Sequence, residues 1–144
     1  MPHMKIARKI AIAVTAIACT LAHAAPTFQT RFGEISTDDE AKDLLFKGTP
    51  FDSDGWIETQ DDLLQLIQLK TSDVLVFRVD NGPSCSNQFF LIQASKGKVL
   101  SSPVSGGCGK APPNVKTKGE KVLIQYTDHR GKQHTESFAN GVLR

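Results

Sequence analysis

Two cysteines in the body of the chain, Cys85 and Cys108, and two histidines near its end, His129 and His134, are the side chains whose chemistry would mark this protein if any did. A disulfide between the cysteines would close a loop of about 24 residues and, on the chain-entropy model, stabilise a small domain by about 3.5 kcal/mol. Redox catalysis would need a close C-x-x-C pair, which this chain does not have, and a zinc site would need two further ligands. The pair therefore reads as a structural disulfide. His129 follows Asp128, but a Ser/His/Asp hydrolase also needs a serine on a rigid nucleophile turn, and no G-x-S-x-G context exists. His129 reads as a solvated histidine at a hairpin tip.

Three further motifs bear on ions and anions. Pro50-x-Asp52-x-Asp54-Gly55-x-Ile57-x-x-x-Asp61 partly follows a calcium loop, with Pro50 in place of the first ligand and the short Asp61 in place of the bidentate Glu. An acidic Asx-turn loop explains the same residues without an ion. Ser105 to Lys110 has the glycines of a phosphate loop without their spacing, and Lys110 is followed by Ala111 where Ser or Thr is required. The cluster Lys110, Lys116, Lys118 and Lys121 is the better candidate for an anionic partner, set against the ordinary reading of solvated lysines. Trp56, the one tryptophan, is either a core anchor or a partly exposed contact residue, and core anchoring is favoured.

The start of the chain sets the compartment. Lys5, Arg8 and Lys9 precede an apolar run from Ile10 to Leu21, and Ala22-His23-Ala24 offers a small-residue cleavage site, so residues 1–24 read as a signal peptide and residues 25–144 as one mature domain. Ala16-Ile17-Ala18-Cys19 resembles a lipobox, but its first position is Ala16 where leucine is usual, and ordinary cleavage is favoured. The expected location is periplasmic or secreted, where disulfides persist. The apolar run is too short for a permanent membrane helix, so no membrane span is expected. Charge in the mature chain is uneven. Residues 25–80 hold twelve acidic and five basic side chains, and residues 81–144 hold three acidic and nine basic. Such halves either pair across the fold or make a dipolar surface that steers a partner, and internal pairing across the sheet together with solvated loops is the favoured expectation. Nucleic acid is not an expected partner, because the basic residues are not interleaved with aromatics.

The elements that must position these groups are mostly strands. Phe28 to Ile35 reads as a first strand with Gly33 as a bulge, and Ser36 to Glu40 as a turn or cap. Thr37 with the acidic residues after it could cap a helix ending at Gly48, or return the chain as a strand at Leu44-Leu45-Phe46, which the apolar triplet favours. Thr49 to Gly55 reads as a surface loop. Residues 60–70 fit a helix, with Thr59 and Asp62 as a capping box, and fit a strand equally well. Val74 to Val79 and Gln88 to Ala94 read as strands, and Val99-Leu100 returns after the turn at Ser95–Lys98. Ser101 to Asn114 reads as a long irregular connection, followed by a last hairpin of Lys121–Thr127 and Gln133–Phe138.

The order Leu44-Leu45-Phe46-Lys47-Gly48-x-Pro50, Ser72-Asp73-Val74-Leu75-Val76, Cys85, Phe89-Phe90 and Pro103 leading to Gly107-Cys108 resembles a loose group of small exported proteobacterial proteins. The resemblance spans most of the mature chain and implies a β-rich fold with one disulfide; it brings no activity with it. The stretch Ser105 to Lys110 departs from the group's aromatic-Gly-x-Cys pattern. Residues and resemblance together lead to a mainly β domain, an antiparallel sheet built from hairpins with α+β as the alternative, and to a non-catalytic binding module. Its expected partner is a protein or other envelope macromolecule, as for an immunity or inhibitor protein, and no cofactor is expected. The alternatives are a small exported hydrolase using His129 or His134 and a calcium-stabilised module.

Overall fold

The computed structural model describes residues 24–144, and the leader read in residues 1–24, with Cys19, lies outside them apart from Ala24. The strands are β1 (Thr27–Thr30), β2 (Gly33–Asp38), β3 (Asp43–Phe46), β4 (Thr49–Phe51), β5 (Leu63–Gln68), β6 (Ser72–Val79), β7 (Gln88–Ser95), β8 (Lys98–Ser101), β9 (Asn114–Lys118), β10 (Lys121–Thr127), β11 (Gln133–Ala139) and β12 (Val142–Leu143). They form three four-stranded antiparallel sheets, β1 to β4, β5 to β8 and β9 to β12, and in each the strands lie side by side in chain order.

The middle sheet separates two hydrophobic cores. On one side Leu75, Phe77, Phe90, Ile92 and Ala94 pack with Phe28, Ile35, Leu44 and Phe46 of the first sheet. On the other Val74, Val76, Phe89 and Leu91 pack with Val122, Ile124, Tyr126 and Phe138 of the last. Successive strand residues face opposite ways, so β6 and β7 can feed both cores only by being apolar at consecutive positions. That is why Val74–Phe77 and Phe89–Ile92 are unbroken apolar runs, while β10 alternates between buried Val122, Ile124 and Tyr126 and more open neighbours.

The mainly β architecture follows the sequence reading, with local corrections. The expected single strand Phe28 to Ile35 is two. Thr30 Oγ1 accepts hydrogen bonds from the backbone N–H groups of Phe32 and Gly33, both at 3.1 Å, and closes a tight turn where a bulge was expected. The 37–47 segment takes the hairpin alternative. The loop expected at Thr49–Gly55 begins as strand β4, which tolerates Pro50 because an edge strand can spare a donor. Residues 60–70 are a 3-10 turn, Gln60–Asp62, running into β5, and the α+β alternative falls away, since that turn is the only helical element among the described residues. A register shift between Leu63 and Gln65 breaks the two-residue alternation of β5, and this is what makes Leu63, Leu66 and Ile67 imitate a helical face. The connection after β8 ends at Asn114 as expected, but strands β9, which follows it, and β12 were not anticipated.

Two ties hold the outer sheets to the middle one. Arg31, in the β1–β2 turn, gives its backbone N–H to Asp73 Oδ2 at 2.7 Å and its Nε–H to Oδ1 at 2.8 Å, and Nη2 reaches the carbonyls of Leu69 and Ser72. The Asp73 side chain is 0% exposed and Arg31 is 41% exposed. On the opposite side Glu120, in the β9–β10 turn, accepts from Lys70 N at 3.1 Å and Thr71 Oγ1 at 3.2 Å. The expected Cys85–Cys108 disulfide is formed, with Cα atoms 5.5 Å apart, and fastens the β6–β7 loop to the β8–β9 connection.

Arg31→Ala strands a buried carboxylate, and urea denaturation is expected to record a loss of about 2 to 3 kcal/mol. Asp73→Asn, which leaves a neutral acceptor, should cost less. The double substitution Cys85→Ala with Cys108→Ala is expected to lower the unfolding free energy by about 3 kcal/mol in the same assay, following the loop-entropy argument.

Candidate functional site

Three places gather the chemistry-bearing residues. The first is the solvent face of the last sheet. Val115 packs inward, so its neighbours Lys116 and Lys118 on β9 point outward, and so do Lys121 and Leu123 on β10. Lys118 stands directly opposite Lys121 and Lys116 opposite Leu123, which puts the three lysine Cα atoms within about 8 Å of one another. Among the described residues, no carboxylate lies within ion-pair distance of these lysines, because Glu120, next in chain, is turned onto the middle sheet. Lys110 does not join them. Its backbone N–H bonds Thr127 O, at the far end of β10, about 20 Å along the strand from Lys121.

The second place is the β10–β11 hairpin. Asp128 Oδ1 accepts the backbone N–H groups of Arg130 and Lys132, each at 2.9 Å, and Oδ2 lies 2.8 Å from His134 Nε2. The His134 hydrogen bond, with these backbone donors, holds the Asp128 carboxyl down at about 2. The His134 ring stacks on Tyr126 at 5.0 Å between centroids, and the Tyr126 hydroxyl donates to Glu136 Oε1 at 2.9 Å. Burial, then the hydrogen bond and charge of Glu136, push the phenol up to about 12. The shallow pocket of about 210 Å³ beside His134 is otherwise lined by Asn114, Gln125, Tyr126, Thr127, Gln133 and Thr135, which include no serine or cysteine. The Asp–His pair orders a turn, and the hydroxyls that line the pocket beside it are those of Tyr126, Thr127 and Thr135. His129 lies exposed in that turn, as expected.

The third place is a cleft of about 530 Å³ at one end of the middle sheet. Gly55 carries the chain across the ring of Phe90, where a Cβ would meet ring carbons at 2.5 Å, and Ser53 Oγ reaches Ser101 Oγ at 3.0 Å. Buried Ile57 then anchors the segment and leaves Trp56 half-buried against the first core with one side on the cleft. Trp56 thus packs against the core, as favoured, and stays partly exposed. Asp62 accepts the backbone N–H groups of Glu58 and Thr59 at 3.0 and 2.9 Å, and its other oxygen lies 3.9 Å from Arg78 Nη2. Arg78 Nε is buried with no hydrogen-bond partner. Asp54, Glu58 and Asp80 complete a charged rim. Sequence reading took Asp62 only as a cap and passed over Arg78, whose signal was a single charge inside the run Val74 to Val79.

The calcium loop does not assemble. Pro50 lies in β4 and Asp61 in the 3-10 turn, and among the described residues no group of three His, Cys, Asp or Glu side chains is placed to hold a metal ion. The charged halves do not pair either. Among the described residues the ion pairs Arg31–Asp73, Arg78–Asp62 and His134–Asp128 each lie within one half of the chain, so the expected cross-sheet pairing is not formed, while most of the other charged side chains are solvated as that reading also held. No protein-family model matches this chain, and no curated protein or solved structure matches it either.

Tyr126 is the only tyrosine, so the phenolate absorbance of the folded protein reports one group. Its titration is expected to have a midpoint near 12, with Glu136→Gln bringing it part of the way back toward 10. Because the folded state holds this proton more tightly, its contribution to stability is complete below pH 10 and is lost as pH rises through about 12.

Proposed function

We propose that this chain is a non-catalytic binding module of the periplasm or the extracellular space, and that it docks an acidic protein surface on the outer face of its last sheet. The observation that carries the reading is the cross-strand pair Lys118–Lys121 with Lys116 beside it. Like charges directly opposite one another on a sheet cost stability, and among the described residues no carboxylate relieves them. An acidic partner would, and its approach would be steered by the field of the lysines. Leu123 in their midst supplies an apolar contact point.

Export is supported by the leader-like residues 1–24 and by a disulfide that the cytosol would not maintain. Among the described residues no helix is long and apolar enough to cross a membrane. An inhibitor or immunity protein is the kind of molecule that fits a rigid domain with one charged docking face. The hydrolase alternative has less support: the Asp128–His134 hydrogen bond is one that a catalytic pair would also make, but the pocket beside it is lined by no serine or cysteine.

The test is capture from envelope extract at low salt by the disulfide-bonded domain and by its Lys116→Glu, Lys118→Glu, Lys121→Glu variant. A specific acidic protein should be retained by the former and released as salt rises, with affinity for the variant reduced on the order of tenfold or more. Lys118→Glu alone should leave stability unchanged or raise it by about 0.5 kcal/mol, separating loss of binding from loss of fold. Equal capture by both proteins would overturn the reading.

A further inference from the structure

The cleft at Trp56 is a second surface, independent of the lysine face, and its chemistry is mixed. Arg78 lines the cleft with a side chain that is 38% exposed, and the nearest carboxylate oxygen, on Asp62, is 3.9 Å from Nη2, beyond hydrogen-bond reach. Asp54, Glu58 and Asp80 offer acceptors around it, and Trp56, whose ring also carries the Lys42 ammonium 5.1 Å from its centroid, lines one side. A simple cation would bring no acceptor to Arg78, and a simple anion would meet the rim carboxylates. A group that accepts and donates at the same atom suits both, and hydroxyls do this. The 3.9 Å gap lets one hydroxyl accept from Arg78 while donating to Asp62, and the indole can cover the C–H face of a ring bearing such groups. A volume of about 530 Å³ falls within the range that holds small ligands.

We propose that this cleft binds a neutral saccharide, with Arg78 and Asp62 fixing adjacent hydroxyls, the rim carboxylates accepting from others, and Trp56 packing against the ring. The site is built from four parts of the chain: the segment between β4 and β5, the end of β6 with the residues just after it, Gln88 at the start of β7, and the β8–β9 connection at Val104–Gly106. Cys108 closes that same connection, so the disulfide also holds one wall of the cleft.

Trp56 is the sole tryptophan, so its emission reads this site directly. The disulfide-bonded domain is titrated with maltose, cellobiose and N,N′-diacetylchitobiose, and in parallel with free arginine and glutamate, each to about 10 mM, a range that reaches millimolar affinity. At least one saccharide is expected to shift or quench the emission saturably, with little change on adding salt. Glu58→Gln, on an exposed segment, should weaken that response several-fold, and Arg78→Met should weaken it tenfold or more, with calorimetry confirming both. Should Arg78→Met fail to fold, the Glu58→Gln result decides. No response to any of the three sugars, a response only to arginine or glutamate, or a saccharide affinity unchanged in the variants would each overturn the proposal.

Discussion

Val74 to Phe77 and Phe89 to Ile92 are each 1% exposed or less, and every other part of the molecule is arranged so that they can be. Burying one such side chain contributes about 1.5 to 3 kcal/mol, so these eight make the largest single contribution to the fold, but only if both faces of the middle sheet are covered. Neither outer sheet is optional on that account. Register follows from the same constraint. A one-residue slip of β6 would exchange its two faces and carry Asp73 away from Arg31 into the opposite core, where nothing could neutralise it. The buried carboxylate therefore pins the strand, and its contribution lies in specifying this pairing over others more than in net stability.

The paired-face burial also explains which parts of the fold were legible in the sequence. β6, β7, β10 and β11 could be read because their patterns are plain: consecutive apolar residues in the first two, alternation in β10, and strong turn residues between partners. β4 and β12 could not, being two or three residues long and carrying little pattern of their own. Their signals were the turns before them. Lys47-Gly48 and Asn140-Gly141 both have positive φ at each position, the arrangement that two-residue hairpin turns favour. The β5 segment was ambiguous for a physical reason, since its bulge replaces a two-residue period with spacings that a helix shares.

Candidate sites were less legible than elements, because they depend on which distant residues meet. Three of the four lysines assemble on one face, since β9 and β10 are adjacent strands, while Lys110 is held at the other end of the sheet by its bond to Thr127. Arg78 and Glu136 gain their partners only through packing. Charge segregation was visible in composition, but its spatial form was not. The acidic excess belongs to the first sheet and the segment after it, and much of the basic excess to the last sheet, so a doubly covered middle sheet lies between them and keeps them from cancelling. Separation of this kind leaves each outer layer with its own field, one attracting and one repelling any given charged partner.

The disulfide connects these levels. Its second cysteine sits in the β8–β9 connection, whose residues Val104 to Gly106 wall the cleft, and the next residue, Gly107, lies against Tyr126, where a Cβ would come 1.8 Å from the hydroxyl oxygen. Gly109 then bridges to Asp128, and its carbonyl accepts from Asn87 Nδ2 at 3.2 Å. A 12-residue stretch with little regular structure is thereby fixed at the cleft, at the second core and at the hairpin that carries His134. The sulfur link adds to the hydrogen bonds that Ser102 and Ser105 make to β7 and to the packing of Val104 against the first core, which together offset the entropy of ordering this backbone. The bond that the sequence announces most clearly thus acts beyond closing a loop: it gives the cleft a fixed wall and seats the Tyr126 phenol against Gly107.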